Sequence, residues 1–128
     1  MFKFPSDFEK SDFVGRYLAE ICLGVGTVAL KFGKTSRPAC DAITSLALHG
    51  KYSCLVSGVE HSCRASEPMS AIELTAFLNS DVTDLAFDDR FAVKICFGET
   101  GAIYVYQDAS EFESFAISIP GKLEIVGP

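Results

Sequence analysis

Apolar and polar positions alternate with period two through several short runs of this chain, and glycines, polar loops or acidic pairs separate the runs. In the run 27–32, Val28, Leu30 and Phe32 fall on one side. With 17–23 before it and Gly24-Val25-Gly26 between, this predicts a β-hairpin. A polar loop over 33–38 follows, then strands over 43–48 and 52–56 about a turn at His49-Gly50-Lys51. The pattern breaks over 57–68, which is polar and irregular and reads as a loop. Strands return at 82–87, 90–97, 102–106 and 112–119, with turns at Asp88-Asp89 and Gly98-Glu99-Thr100-Gly101. Residues 121–126 add a short closing strand.

Two segments read as helix. Ser6-Asp7-Phe8-Glu9 has the form of a capping box and predicts a short helix through about Val14, ended near Gly15. Ser66-Glu67-Pro68 opens a second helix over about 69–79, because proline is tolerated in a first turn. Its apolar stripe runs from Ala71 to Leu78, and Asn79 is the stop. The predicted fold is mainly β, in the α+β sense: antiparallel sheet or sheets of about eight strands with one or two short helices. A length of 128 residues predicts a single domain over 1–128.

Two blocks resemble each other. Leu18, Ile21 and Leu23, then a turn, then Val28, Leu30 and Phe32-Gly33 parallel Val82, Leu85 and Phe87, then a turn, then Val93, Ile95 and Phe97-Gly98. One reading is a duplicated β-meander, with repeats over 17–56 and 82–119 and the helix between them. The other is chance, since any two amphipathic hairpins share some pattern.

Composition narrows the class. With 48% apolar residues and eleven phenylalanines the chain can bury a core, unlike a disordered one. No stretch reaches the roughly 20 apolar residues that span a bilayer, so no membrane partner is expected. Asp7, Glu9 and Asp12 come too early for a secretory leader. Cys22, Cys40, Cys54, Cys63 and Cys96 are odd in number and contain no CxxC pair, which points to a cytoplasmic protein without a disulfide framework. Cys22, Cys54 and Cys96 fall in apolar strand patterns and read as core residues.

The net charge of −6 is unevenly spread. Residues 1–64 carry 8 Lys/Arg against 6 Asp/Glu, a balance of +2, and residues 65–128 carry 3 against 11, a balance of −8. Such an acidic half repels phosphate backbones, so nucleic acid is not an expected partner. It favours a basic protein, or serves solubility alone.

Four constellations bear on chemistry. Gly24-Val25-Gly26-Thr27-Val28-Ala29 matches a GxGxxA dinucleotide fingerprint, but the residues after it alternate as a strand, and the fingerprint requires a helix there. His49, Cys54, His61 and Cys63 are the clustered candidate metal ligands, yet Cys54-x6-His61-x-Cys63 lacks the paired spacing of zinc sites. No metal or cofactor is expected. The acidic pairs Asp81/Asp84, Asp88/Asp89 and Glu111/Glu113 read as solvated surface or as a protein-binding patch. Tyr104, Tyr106, Phe112 and Phe115 sit beside them, either as core residues or as an aromatic interface.

The segment 80–119 resembles a group of uncharacterised small bacterial β-rich proteins, through Phe97-Gly98-Glu99-Thr100-Gly101 and Phe112-Glu113-Ser114-Phe115. Some of those proteins are similar to immunity proteins encoded near bacterial toxins. The resemblance implies a fold more than a function and carries no catalytic residue. The expected function is a non-enzymatic protein-binding domain, in its most concrete form an immunity-like inhibitor that covers a basic toxin surface. Its contact residues would be Asp88, Asp89, Glu99, Tyr106, Glu111 and Glu113. The alternatives are a small-molecule or metal-dependent enzyme built on the His/Cys/carboxylate set, and a structural homodimer formed through exposed sheet edges.

Overall fold

The computed structural model describes residues 8–34, 43–88, 91–107, 114–122 and 124–127. Among the described residues ten strands form two antiparallel sheets, mainly β as the alternation predicts, with two strands more than the eight or so expected. They are β1 (Tyr17–Gly24), β2 (Thr27–Gly33), β3 (Thr44–Leu48), β4 (Lys51–Val56), β5 (Val59–Arg64), β6 (Asp84–Asp88), β7 (Phe91–Cys96), β8 (Gly101–Val105), β9 (Phe115–Ser118) and β10 (Ile125–Gly127). The first sheet has the order β1-β2-β3-β9-β10 and the second β5-β4-β8-β7-β6. Inward side chains of both sheets, among them Leu30, Leu46, Ile117, Ile95, Ile103 and Cys54, join one buried cluster.

Advancing every strand number by five, cyclically, turns the order of the first sheet into β6-β7-β8-β4-β5, which is the second sheet read backwards. The correspondence holds at the level of register. The cross-strand row Val28-Leu48-Phe115-Gly127 matches Val93-Val105-Tyr52-Cys63. The row Leu30-Leu46-Ile117-Ile125 likewise matches Ile95-Ile103-Cys54-His61. In each half the first three strands form a meander in one sheet, and the last two cross over and complete the other. The corners correspond too: the His49 amide donates to the Ser114 carbonyl at 3.0 Å, and the Tyr106 amide to the Lys51 carbonyl at 3.3 Å.

Several expectations are revised. Residues 59–64, read as loop, form β5. It is an edge strand with Cys63 as its one fully buried side chain, so it lacks the apolar alternation that marks a two-sided strand. The second helix is a 3-10 helix, Pro68–Phe77. Its buried residues Ala71, Leu74 and Phe77 recur every third position, which matches about three residues per turn rather than 3.6. The first helix is a single 3-10 turn, Lys10–Asp12, capped by Glu9 and Asp12 in place of Ser6. Ser6 lies outside the described residues. Cys54 is buried as expected, whereas Cys22 and Cys96 are only half-buried. The register of β1 shifts between Leu18 and Glu20, which turns Cys22 to the outer face opposite Ala29.

The Pro68–Phe77 helix packs on β5, β4 and β1, and so closes the side of the molecule between the two sheets. Phe77 stacks on Phe97 with ring centroids 4.6 Å apart. Among the described residues no helix is long and apolar enough to cross a membrane.

Candidate functional site

The outer face of the second sheet carries three half-buried aromatic rings, Phe91, Tyr104 and Tyr106. In β8, Ile103 and Val105 point inward and are buried, so Tyr104 between them faces out, and Tyr106 follows just beyond the strand. The register puts Lys94 of β7 and Ser53 of β4 on either side of Tyr104. Phe91 of β7 meets the Tyr104 ring edge-on at 5.3 Å, and Lys94 Nζ lies 5.2 Å from that ring's centroid. Lys51 Nζ lies 5.1 Å from the centroid of Tyr106. Both ammonium groups lie within cation–π range.

Ser53 anchors the arrangement. Its hydroxyl is buried on the sheet, 2.8 Å from the Tyr106 hydroxyl, and donates to Glu60 Oε1 at 3.3 Å. Glu60, Phe91, Tyr104 and Tyr106 together line a shallow depression of about 270 Å³. The face offers ring edges, two cations and one carboxylate on a rigid sheet.

The expected contact residues fall in different places. Tyr106 belongs to this face. Asp88 ends β6 and pairs with Phe91, so its backbone lies at the same end of the sheet as Tyr106. Glu99 is exposed in the turn before β8, and the length of that strand separates it from Tyr106. Asp89, Glu111 and Glu113 lie outside the described residues. The sequence reading missed Phe91, Lys51, Lys94 and Ser53. The signal was the cross-strand register, which becomes legible only once Tyr104 is paired with Lys94 and Ser53.

Of the four candidate ligands, His49 stands apart from Cys54, His61 and Cys63, which lie together on the β4–β5 pair, and Cys40 lies outside the described residues. His49 sits at the β3–β4 corner, its Nδ1 3.3 Å from the Thr27 hydroxyl. His61 pairs with Cys54 in register and brings Nε2 to 3.5 Å from Glu73 Oε2. Among the described residues no three of His, Cys, Asp and Glu form a group able to hold a metal ion. Cys54 and Cys63 interact through their thiols. The hydrogen bond to Cys63, with burial, pushes the Cys54 thiol up, so Cys63 is the one of the pair that ionises first.

No family model, curated protein or solved structure matches this chain.

A second surface lies between β1 and the Pro68–Phe77 helix. An apolar groove of about 370 Å³ runs there, lined by Ile21, Leu23, Met69, Ile72 and Leu78. Leu23 is 57% exposed, Met69 79% and Ile72 60%, and Val25 stands fully exposed at the adjoining hairpin tip. Apolar side chains clustered in this way depart from the scattered exposure usual on a monomer's surface.

Proposed function

We propose that this chain is a non-enzymatic protein-binding domain that contacts its partner through Phe91, Tyr104 and Tyr106 on the outer face of the second sheet. The observation that carries the reading is that these rings stand on the solvent side of a rigid sheet and are held there, Tyr106 by its contact with Ser53 and Tyr104 by Phe91 and Lys94. Rings fixed before binding lose little conformational entropy on contact, and aromatic residues dominate interface energetics.

The partner is an amphipathic protein of basic net charge that sets acceptor groups against Lys51 and Lys94 of the face. The balance of −8 over residues 65–128 would speed its approach and select it. An immunity-like inhibitor covering a basic toxin surface is the most specific form of the proposal, and it rests on the resemblance of residues 80–119. The cysteine pattern supports a cytoplasmic setting.

The test is affinity capture from native cell extract at low and high salt, with wild type beside a Tyr104→Ala/Tyr106→Ala variant. A specific basic protein should bind the wild type, weaken with salt, and bind the variant at least tenfold less. Glu99→Gln, at the far end of β8, should bind as the wild type does. Undiminished capture by the double tyrosine variant would remove this face from the reading.

A further inference from the structure

We propose that the open edge of β1, with the apolar groove beneath it, is the seat of a second copy of this chain, joined by antiparallel pairing of β1 with β1 about a two-fold axis at Cys22. The inference is independent of the aromatic face. β1 is the end strand of the first sheet, and among the described residues no strand lies beside 19–24 on the side away from β2. The other sheet edges are blunted. β10 has three residues, β5 carries Glu60, His61 and Arg64, and β6 carries Asp84, whose carboxylate pairs with Lys10. Residues 19–24 of β1 hold one charge, Glu20.

The backbone of β1 is arranged for pairing with itself. The hairpin closes at Gly24↔Thr27, so the amides and carbonyls of Gly24, Cys22 and Glu20 turn toward β2, and those of Leu23 and Ile21 turn toward the open edge. The register shift between Leu18 and Glu20 sets this phase. On the near side of the shift, the outward backbone groups of Leu18 are taken by Ser80 and Asn79, at 3.1 and 2.9 Å. Beyond it, Ile21 and Leu23 have matching outward groups two residues apart. A two-fold axis at Cys22 therefore sets Ile21 opposite Leu23 of the second copy and Leu23 opposite its Ile21, and both are the hydrogen-bonded kind of pair.

The side chains agree with that register. Ile21 and Leu23 lie over the groove, so each copy lays an Ile–Leu pair beside the other's Met69 and Ile72. Glu20 falls opposite Gly24 of the second copy, so like charges do not meet, and its own cross-strand neighbour is Lys31. The five exposed apolar side chains Leu23, Val25, Met69, Ile72 and Leu78 present on the order of 600 Å² per copy. Two copies thus cover roughly 1,200 Å², the lower bound for a stable interface.

The register supplies its own reporter. Cys22 would face Cys22 in a non-hydrogen-bonded pair with Cα atoms about 4.5 Å apart, within disulfide reach. With oxidised glutathione at alkaline pH, one Cys22 thiolate attacks the glutathione disulfide and releases reduced glutathione. The second Cys22 thiolate then displaces the other glutathione and closes the intermolecular S–S bond.

Light scattering on the full chain should give about twice 13.8 kDa. Leu23→Lys, at an exposed position, should raise the dissociation constant at least tenfold while leaving the circular dichroism unchanged. Covalent dimer should form in the wild type and in Cys96→Ser but not in Cys22→Ser. A monomer at all concentrations overturns the proposal. So does a dimer indifferent to Leu23→Lys, a cross-link that survives Cys22→Ser, or an edge that takes a foreign strand in preference to a second copy.

Discussion

Tyr52 is fully buried, and its hydroxyl faces Ser70 and Cys63 without a hydrogen bond of good geometry to either. An unpaired buried hydroxyl costs roughly 1–3 kcal/mol. The corresponding position in the first sheet is Phe115, which fills the same row without a hydroxyl. Tyr52→Phe should therefore leave the fold intact and raise stability by about 1 kcal/mol in urea unfolding. The residue also carries a pH signature. Burial pushes its hydroxyl above the ordinary value of 10.0, so the neutral form is favoured in the folded state. The contribution is fully present below pH 10.0 and is lost as pH rises beyond it, because the unfolded chain ionises first. Wild type should lose stability above that pH more steeply than Tyr52→Phe, as urea midpoints taken across the alkaline range would show. At this scale the sequence was legible where burial is two-sided: Cys54 reads as core and is core. It was ambiguous for Tyr104, because Ala102 to Tyr106 is apolar throughout and period two has nothing to contrast with.

Elements were legible where their hydrophobic period is complete. Both hairpins, the β3–β4 turn and the start of the second helix at Pro68 follow from pattern and turn chemistry. β5 and the 3-10 geometry did not, because one strand lacks apolar alternation and the other segment satisfies two periods at once. Ala71, Leu74 and Phe77 fit a period of three, while Ile72 and Leu78 complete an α-helical stripe that the structure leaves exposed. The start of β8 is fixed by backbone contact. Gly101 has φ +143°, and a Cβ there would collide with the Leu55 carbonyl of β4. Gly101→Ala should cost roughly 2–4 kcal/mol from strain and overlap together, lowering the thermal midpoint. Gly26→Ala, in a hairpin turn with open space around it, should cost less, though its φ of +71° still carries strain. Comparing the two melting curves separates crowding from turn strain.

Across the whole molecule, the exchange of strands between the sheets governs behaviour. The strand order of the two halves corresponds, and it means that neither half owns a complete sheet. Segments 1–66 and 67–128, prepared separately, should each lack the β-sheet signal in circular dichroism and recover it on mixing. Independent folding of either would count against cooperativity between the sheets. The candidate face depends on the same exchange, since Lys51, Ser53 and Glu60 come from the first half and Phe91, Lys94 and Tyr104 from the second. Sequence reading could find the two similar blocks but not the crossover, because chain order alone leaves open which sheet a strand joins. The crossover also sets the order of events during biosynthesis. The first three strands emerge early, yet β9, which flanks β3, and β10 beyond it are translated last of the ten. A nascent chain therefore holds β3 with one edge unpaired until residues 115–118 have been made. Its long-range pairings should make folding slow and place it after most of translation, in the interval when holding chaperones act.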